Sequence, residues 1–403
     1  MKIFKVLLVV AIAFGMMACN NEQDVPEISG EKDASISIKV FPSSDSPSFR
    51  ATGDLSVADA DGVIAAESDI KSLEVWVFAG DVLDGYGSSS NSFEVNNIAA
   101  NVGSRNVVVV ANAGLGNNFT SQAALLTELK GLPVDVANNG LIMTAEPFNV
   151  NLEKGNNYYG YDGEDEAGVK KYHEVTPLAI TRVNARVAIV SATLNTGSIP
   201  ANQTPIFDKL GDVQVAMFNV PEKTNLFYAR SNPLATDLAT NASYLYGDQW
   251  PSTAGSYEGV ADVPEKPTAS LMDEVLGLPV TIDEAPYYYV NESSIVNKMF
   301  IVLRAKLYKG NTYVDPANNP HLVGLYIDSE GYTYYPIWVN GKDLGYGYTL
   351  HTPDGKVVRN TQYNISLTIK GLGNPTIDPV DKAWLDVKVT VTPWTVVNQT
   401  VEW

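Results

Sequence analysis

The sequence predicts an all-β protein, mainly strands with a few short helices, built as two β-sandwich domains. Three observations carry that reading. Runs of β-branched and aromatic residues recur at 73–78, 106–111, 183–194, 213–218, 300–307, 322–327, 332–339 and 363–369, and such residues favour a pleated, half-buried surface. Turns rich in Gly, Asn, Pro and Asp divide these runs at short spacing, the pattern of sandwiches. A chain of 403 residues, 45% hydrophobic and 18% charged, can bury a sizeable interior but exceeds one typical core.

The chain opens on a leader. Lys2 and Lys5 precede an apolar run from Val6 to Met17 that is too short to span a bilayer, so residues 1–18 read as a signal peptide. Ala18-Cys19 then supplies the small residue and cysteine of a bacterial lipoprotein cleavage site, with Met16 and Met17 making the motif a loose one. Cys19 is the only cysteine, so it has no intramolecular disulfide partner, and lipid attachment is its expected role. Residues 20–33 are polar and form a tether. Ile36, Ile38 and Val40 alternate with Ser35, Ser37 and Lys39, which predicts a first short strand. Residues 42–68 are rich in Ser, Asp, Ala, Gly and Pro and predict a long exposed loop, with Arg50 its only basic residue.

Further along, residues 121–130 (SQAALLTELK) predict a helix capped by Ser121 and stopped by Gly131, with Leu125, Leu126 and Leu129 on its buried face. Residues 224–265 carry the weakest pattern and read as loops. A domain break fits best at 176–182, after the glycine- and acid-rich residues 160–168. That gives a propeptide at 19–50, an N-terminal sandwich at 51–178 and a C-terminal one at 179–403. At the end of the chain Leu385, Val387, Val389 and Val391 alternate with Asp386, Lys388, Thr390 and Thr392. Pro393 interrupts, and a second extended run follows Trp394, with Val396, Val397 and Val401 leading to a final Trp403. Two readings stay open here. The terminal strand closes its own sandwich, or it is inserted into another molecule's sheet by β-strand addition.

Several classes are disfavoured. Twenty-seven basic against forty-six acidic residues give a net charge of -19, which repels phosphate backbones and argues against nucleic-acid binding. His173, His321 and His351 are far apart, and no HExxH pair, GxSxG elbow or Walker loop occurs. Asp59-Ala60-Asp61-Gly62 resembles the middle of a calcium loop, but the first and twelfth ligand positions fall on Val57 and Ser68. Gly163-Glu164-Asp165-Glu166 reads as a solvated acidic turn. No enzyme, cofactor or metal is expected. Tyr287-Tyr288-Tyr289 and Tyr334-Tyr335 suggest either a sugar-stacking platform or packed cross-strand pairs.

Several stretches together resemble the major fimbrillin (FimA) family, the shaft subunits of type V pili. They are residues 140–147 (GLIMTAEP), 180–186 (ITRVNAR), Tyr334-Tyr335-Pro336, Arg359-Asn360 with Tyr363-Asn364-Ile365, residues 371–375, and Pro393-Trp394 to Trp403. The resemblance runs in order over nearly the whole chain and is weakest at 224–287. It implies two transthyretin-like Greek-key sandwiches and a lipoprotein precursor in the outer membrane. It further implies cleavage by an arginine-specific protease in the loop after the first strand, which maps onto Arg50 and Ala51. The first strand then leaves, and a neighbour's strand enters the groove. The donor residues on this view are Leu385, Val387, Val389, Val391, Trp394, Val396, Val397, Val401 and Trp403. Partners would be identical subunits, accessory fimbrial subunits and host or bacterial surface receptors, with adhesion and biofilm attachment as the role. The alternatives are an accessory anchor or tip subunit, or a surface lipoprotein that binds glycans through its tyrosine-rich strands.

Overall fold

A computed structural model describes residues 32–43, 67–132, 136–227, 273–274, 285–294, 296, 299–342, 344, 347–349, 352–378 and 385–393. Cys19, Arg50, Ala51, Trp394, Val396, Val397, Val401 and Trp403 lie outside the described residues. The fold is strand-dominated, as the sequence predicts.

The N-terminal half contains β1 (Ala34–Pro42), β2 (Ser72–Ala79), β3 (Val82–Ser90), β4 (Glu94–Ala100), β5 (Gly103–Ala111), β6 (Leu129–Gly131), β7 (Met143–Thr144), β8 (Phe148–Leu152), β9 (Gly155–Tyr159), β10 (Lys170–Glu174) and β11 (Leu178–Arg182). All but β6 belong to one network, ordered β10-β9-β1-β11-β7-β5-β2-β3, with β4 added on β1 and β8 on β5. β1 holds the two layers together. Its first part pairs with β4 on one edge and β9 on the other, and its last residues pair with β11, which leads into the second layer. Side chains from both layers meet in one apolar cluster that includes Ile36, Ile38, Val40, Val77, Val95, Ile98 and Val109.

The C-terminal half contains β12 (Asn184–Leu194), β13 (Lys209–Phe218), β14 (Lys223–Asn225), β15 (Asp273–Glu274), β16 (Tyr287–Asn291), β17 (Phe300–Lys309), β18 (Thr312–Tyr313), β19 (Tyr332–Trp338), β20 (Gly347–Thr349), β21 (Thr361–Ile369) and β22 (Leu385–Pro393). One sheet runs β16-β12-β21-β22-β20, and the other runs β15-β13-β17-β18 with β19 on β17. Between them lies a second core that includes Val187, Ile189, Leu303, Ile337, Ile365 and Val389. Sheet membership changes at Val183, so residues 179–182, which the sequence assigns to the C-terminal domain, sit in the first domain's network. In the other direction, β14 pairs with β6, and Leu226 packs among the N-terminal residues Trp76, Phe78 and Leu125.

Two local expectations are corrected. The helix covers only Gln122–Leu126, with the Ser121 side chain accepting a hydrogen bond from Ala124 N as its cap. Leu125 is buried, but Leu129 is 46% exposed because it begins β6 rather than extending the helix. Residues 322–327 are turns, not a strand. The Leu322 carbonyl accepts from the amides of Leu325 and Tyr326, and Gly324 takes a φ of +78° that a strand does not allow. Their apolar pattern reflects two buried anchors, Leu322 and Ile327, at the ends of a tight reversal.

Candidate functional site

The first strand is the buried centre of its domain. Ile36 and Ile38 are 0% exposed, and Val40 is buried beside them. Against β4 the register runs Ala34↔Ala100 to Lys39↔Glu94, with a bulge between Ile36 and Ile38. Asn97 supplies that bulge in the left-handed region, φ 56°, and its amide donates to Ser37 Oγ at 3.1 Å. This explains why Ser37, polar by sequence, is buried. Against β9 the pairing is parallel from Ala34↔Gly155 to Ile38↔Tyr159, and against β11 from Val40↔Leu178 to Pro42↔Ile180. The ends are fastened too. Asp33 Oδ1 accepts from Val102 N at 3.0 Å, and its carbonyl accepts from Gly155 N at 3.0 Å. Ser43 N donates to Ile180 O at 2.8 Å.

The terminal strand is also seated, in the other domain. β22 pairs antiparallel with β21 from Thr361↔Pro393 to Ile369↔Leu385, and parallel with β20 from Gly347↔Lys388 to Thr349↔Thr390. Val387, Val389 and Val391 are buried, and Leu385 packs against the same core. In the single chain these four residues are seated in their own domain's sheet and core. The structure does not bring β1 and β22 together; they belong to different sheets.

Between the two strands lies a polar junction that the sequence did not reveal. Glu67, shortly before β2, is buried there. Its Oε1 accepts from Arg186 Nη1 and from the Tyr289 hydroxyl, each at 2.7 Å. Arg182 Nε donates to the Glu67 carbonyl at 2.8 Å, Nη2 to Ser68 Oγ at 2.7 Å and Nη1 to Asn360 Oδ1 at 3.3 Å. Burial pulls the Arg182 guanidinium down to about 10, with Glu67 opposing and Arg186 assisting the shift, so it stays charged at neutral pH. Burial, reinforced by the Glu67 charge, holds the Tyr289 hydroxyl neutral far above its usual range. Asn360 Nδ2 also donates to Ser43 O at 3.3 Å. Ser43 and Glu67, the described residues on either side of 44–66, thus meet at one hydrogen-bonded cluster. Alongside, Arg359 donates to Glu292 and to the carbonyls of Asn225 and Leu226, within the C-terminal half next to the β14–β6 pair.

The remaining candidates have structural partners. Tyr288, Tyr289, Tyr334 and Tyr335 are buried, so they form no sugar-stacking platform. Asp165 in the acidic turn pairs with Lys171 at 2.7 Å and accepts from Tyr172 N. His173 meets Asn157 Oδ1 at 2.8 Å, His321 is exposed in a turn, and His351 lies outside the described residues. Among the described residues no group of His, Cys, Asp and Glu is placed to hold a metal, and no helix is long and apolar enough to cross a membrane.

A family model described as the major fimbrial subunit protein (FimA) matches residues 34–182, and one described as the FimA4 pilin C-terminal domain matches residues 206–394. Over the full length of both chains the sequence is 31% identical to a major fimbrium subunit FimA type-2 of Porphyromonas gingivalis. It is also 31% identical, again over both full lengths, to a FimA type-4 subunit from strain W83. The chain belongs to the major fimbrial subunit family. Its fold is similar to that of a fimbrilin crystal structure from Porphyromonas gingivalis W83, with TM-score 0.67 and 28% identity, covering 92% of this chain and 99% of that one. A putative cell adhesion protein from Parabacteroides distasonis shares the fold at TM-score 0.60 and 17% identity, over 90% of this chain and 100% of that one. The chain is therefore a structural subunit of cell-surface fimbriae. The first family match starts at Ala34 and ends at Arg182, the first residue of β1 and the last of β11. β1 is thus part of the family domain.

Proposed function

We propose that this fimbrial subunit is a lipoprotein precursor, lipidated on Cys19 and cut between Arg50 and Ala51 by an arginine-specific protease. It then polymerises with identical subunits by exchanging β1 for a neighbour's terminal strand. The observation that carries the reading is the setting of β1: a strand buried between partners on both edges and followed in the sequence by the segment that holds Arg50. Such a segment, rich in small polar residues, is where proteolytic nicking is expected. Accessory subunits would cap or anchor the polymer, and surface receptors would be met by the assembled fibre. A shaft role fits a chain that carries both an acceptor slot and a terminal donor.

The donor assignment is refined by the seating of β22. Leu385, Val387, Val389 and Val391 must first leave β21 to be donated, whereas Trp394, Val396, Val397, Val401 and Trp403 follow β22 in the sequence and on this reading engage a neighbour first. The slot must then be refilled. Burying Ile36, Ile38 and Val40 at about 1.5–3 kcal/mol each gives roughly 5–9 kcal/mol gross, and nanomolar binding requires about 12 kcal/mol net. Side chains alone fall short, so the incoming strand must also rebuild ladder hydrogen bonds on both edges. Replacing Arg50 with Ala tests the reading. The variant is expected to keep its N-terminal segment and remain monomeric, and polymers like those of the unaltered protein would overturn the cleavage step.

A further inference from the structure

We propose that cleavage does not by itself release the first strand: β1 stays in its slot as a non-covalent plug until another strand displaces it. The inference rests on the strand-exchange reading and concerns how exchange is timed. Its basis is topological. Among the described residues β4 has β1 as its only ladder partner. β9 pairs only with β1 and β10, so β9 and β10 join the rest of the sheet through β1 alone. One layer of the sandwich is therefore assembled around the strand that has to leave. If β1 departed into solvent, β4 and β9 would lose their paired edges together, and Val95, Ile98 and Leu152 would lose apolar neighbours in the same event. Unpaired edges and bared apolar surface make that state unfavourable.

Among the described residues, β1 and its flanks are held by contacts that lie outside the segment to be cut. Asp33 is held by Val102 N and Gly155 N, the Ser35 carbonyl by Asn157 Nδ2 at 3.1 Å, and Ser37 Oγ by Asn97 N. Ser43 is held through both its amide and its carbonyl, by Ile180 and Asn360. Breaking the chain between 44 and 66 removes a covalent tether and leaves every one of these in place. Exchange therefore proceeds by replacement, one ladder position at a time, and a second copy's terminal strand is the partner that drives it. Cleavage makes exchange possible, and the supply of donor strands then sets its rate.

The test uses the chain carrying Cys19→Ala, so that no lipid is attached, cut either at Arg50 or at a recognition sequence for an unrelated protease placed between residues 44 and 66. The expected result is co-elution of the N-terminal piece with the folded body under native conditions. An isotopically heavy peptide of residues 32–43, added to the cut protein, is expected to replace the resident strand at a rate that rises in proportion to peptide concentration. Elution of the piece apart from a folded body, or an exchange rate independent of peptide concentration, would overturn the inference. If Arg50 resists its protease while the engineered cut shows concentration-dependent exchange, the processing reading fails and the plug stands.

Discussion

Glu67 shows how single residues tie the two domains together. One carboxylate receives Arg186 and Tyr289 while its backbone carbonyl receives Arg182, so two guanidinium groups are tolerated away from water. Removing one partner of a buried pair leaves an uncompensated charge, which costs about 3–5 kcal/mol. Glu67→Ala is accordingly expected to lower the stability of the uncleaved chain by that order in urea titrations. Glu67→Gln, which still accepts hydrogen bonds, should lose less, and an unchanged midpoint for Glu67→Ala would contradict the assignment. Asp84 adds a pH dependence. Burial raises its carboxyl, but hydrogen bonds from Asn101 and Arg105, with the Arg105 charge, outweigh it and hold the pKa below the usual value. A depressed carboxylate stabilises the fold above its unfolded value of about 4 and loses that contribution as pH falls through the lower folded value. Acid titrations should show this loss, and Asp84→Asn should flatten it. The junction was hidden in the sequence because its members are remote: Arg182 and Asn360 are 178 positions apart. Periodicity reports burial within one element and says nothing of two polar residues meeting across domains.

The strands vary in how openly they announce themselves. β1, β2, β17, β21 and β22 alternate or cluster β-branched residues and were legible. β3, β4, β9 and β10 are rich in Gly, Ser, Asn and Lys and were not, because pairing rather than propensity makes them strands. Gly87 in β3 shows the tertiary constraint: a Cβ there would sit 2.6 Å from Ile98 Cγ1 on β4. That β22 looked equally suited to donation and to its own sheet is also physical, since alternation specifies a buried face but not whose. The seating of β22 separates two variants. Val389→Asp places a lone carboxylate at a position with 0% exposure, so the uncleaved monomer should be destabilised by several kcal/mol, seen as a lower melting temperature. Truncation after Pro393 leaves β22 whole and should keep the monomer's melting temperature near that of the full chain while abolishing long polymers. A normal melt for Val389→Asp would mean that β22 is not needed by its own domain.

At the scale of the molecule, two sandwiches joined by a buried charge cluster hold β1 in one domain and β22 in the other. A net charge of -19 makes subunits repel one another. Polymer growth of cleaved protein should therefore accelerate as added salt screens that repulsion, with the screening length falling to about 8 Å near physiological ionic strength. Light scattering over a salt series reads this directly, and growth that slows with salt would point to attractive charge pairs between subunits instead. The central claim is that the assembled subunit has lost its first strand and holds a neighbour's in the same slot. Mass spectrometry of fibres sheared from cells tests it most directly. The account predicts subunits that begin at Ala51 and no peptide containing Ile36, Ile38 and Val40. Stoichiometric recovery of that peptide from washed fibres would contradict it.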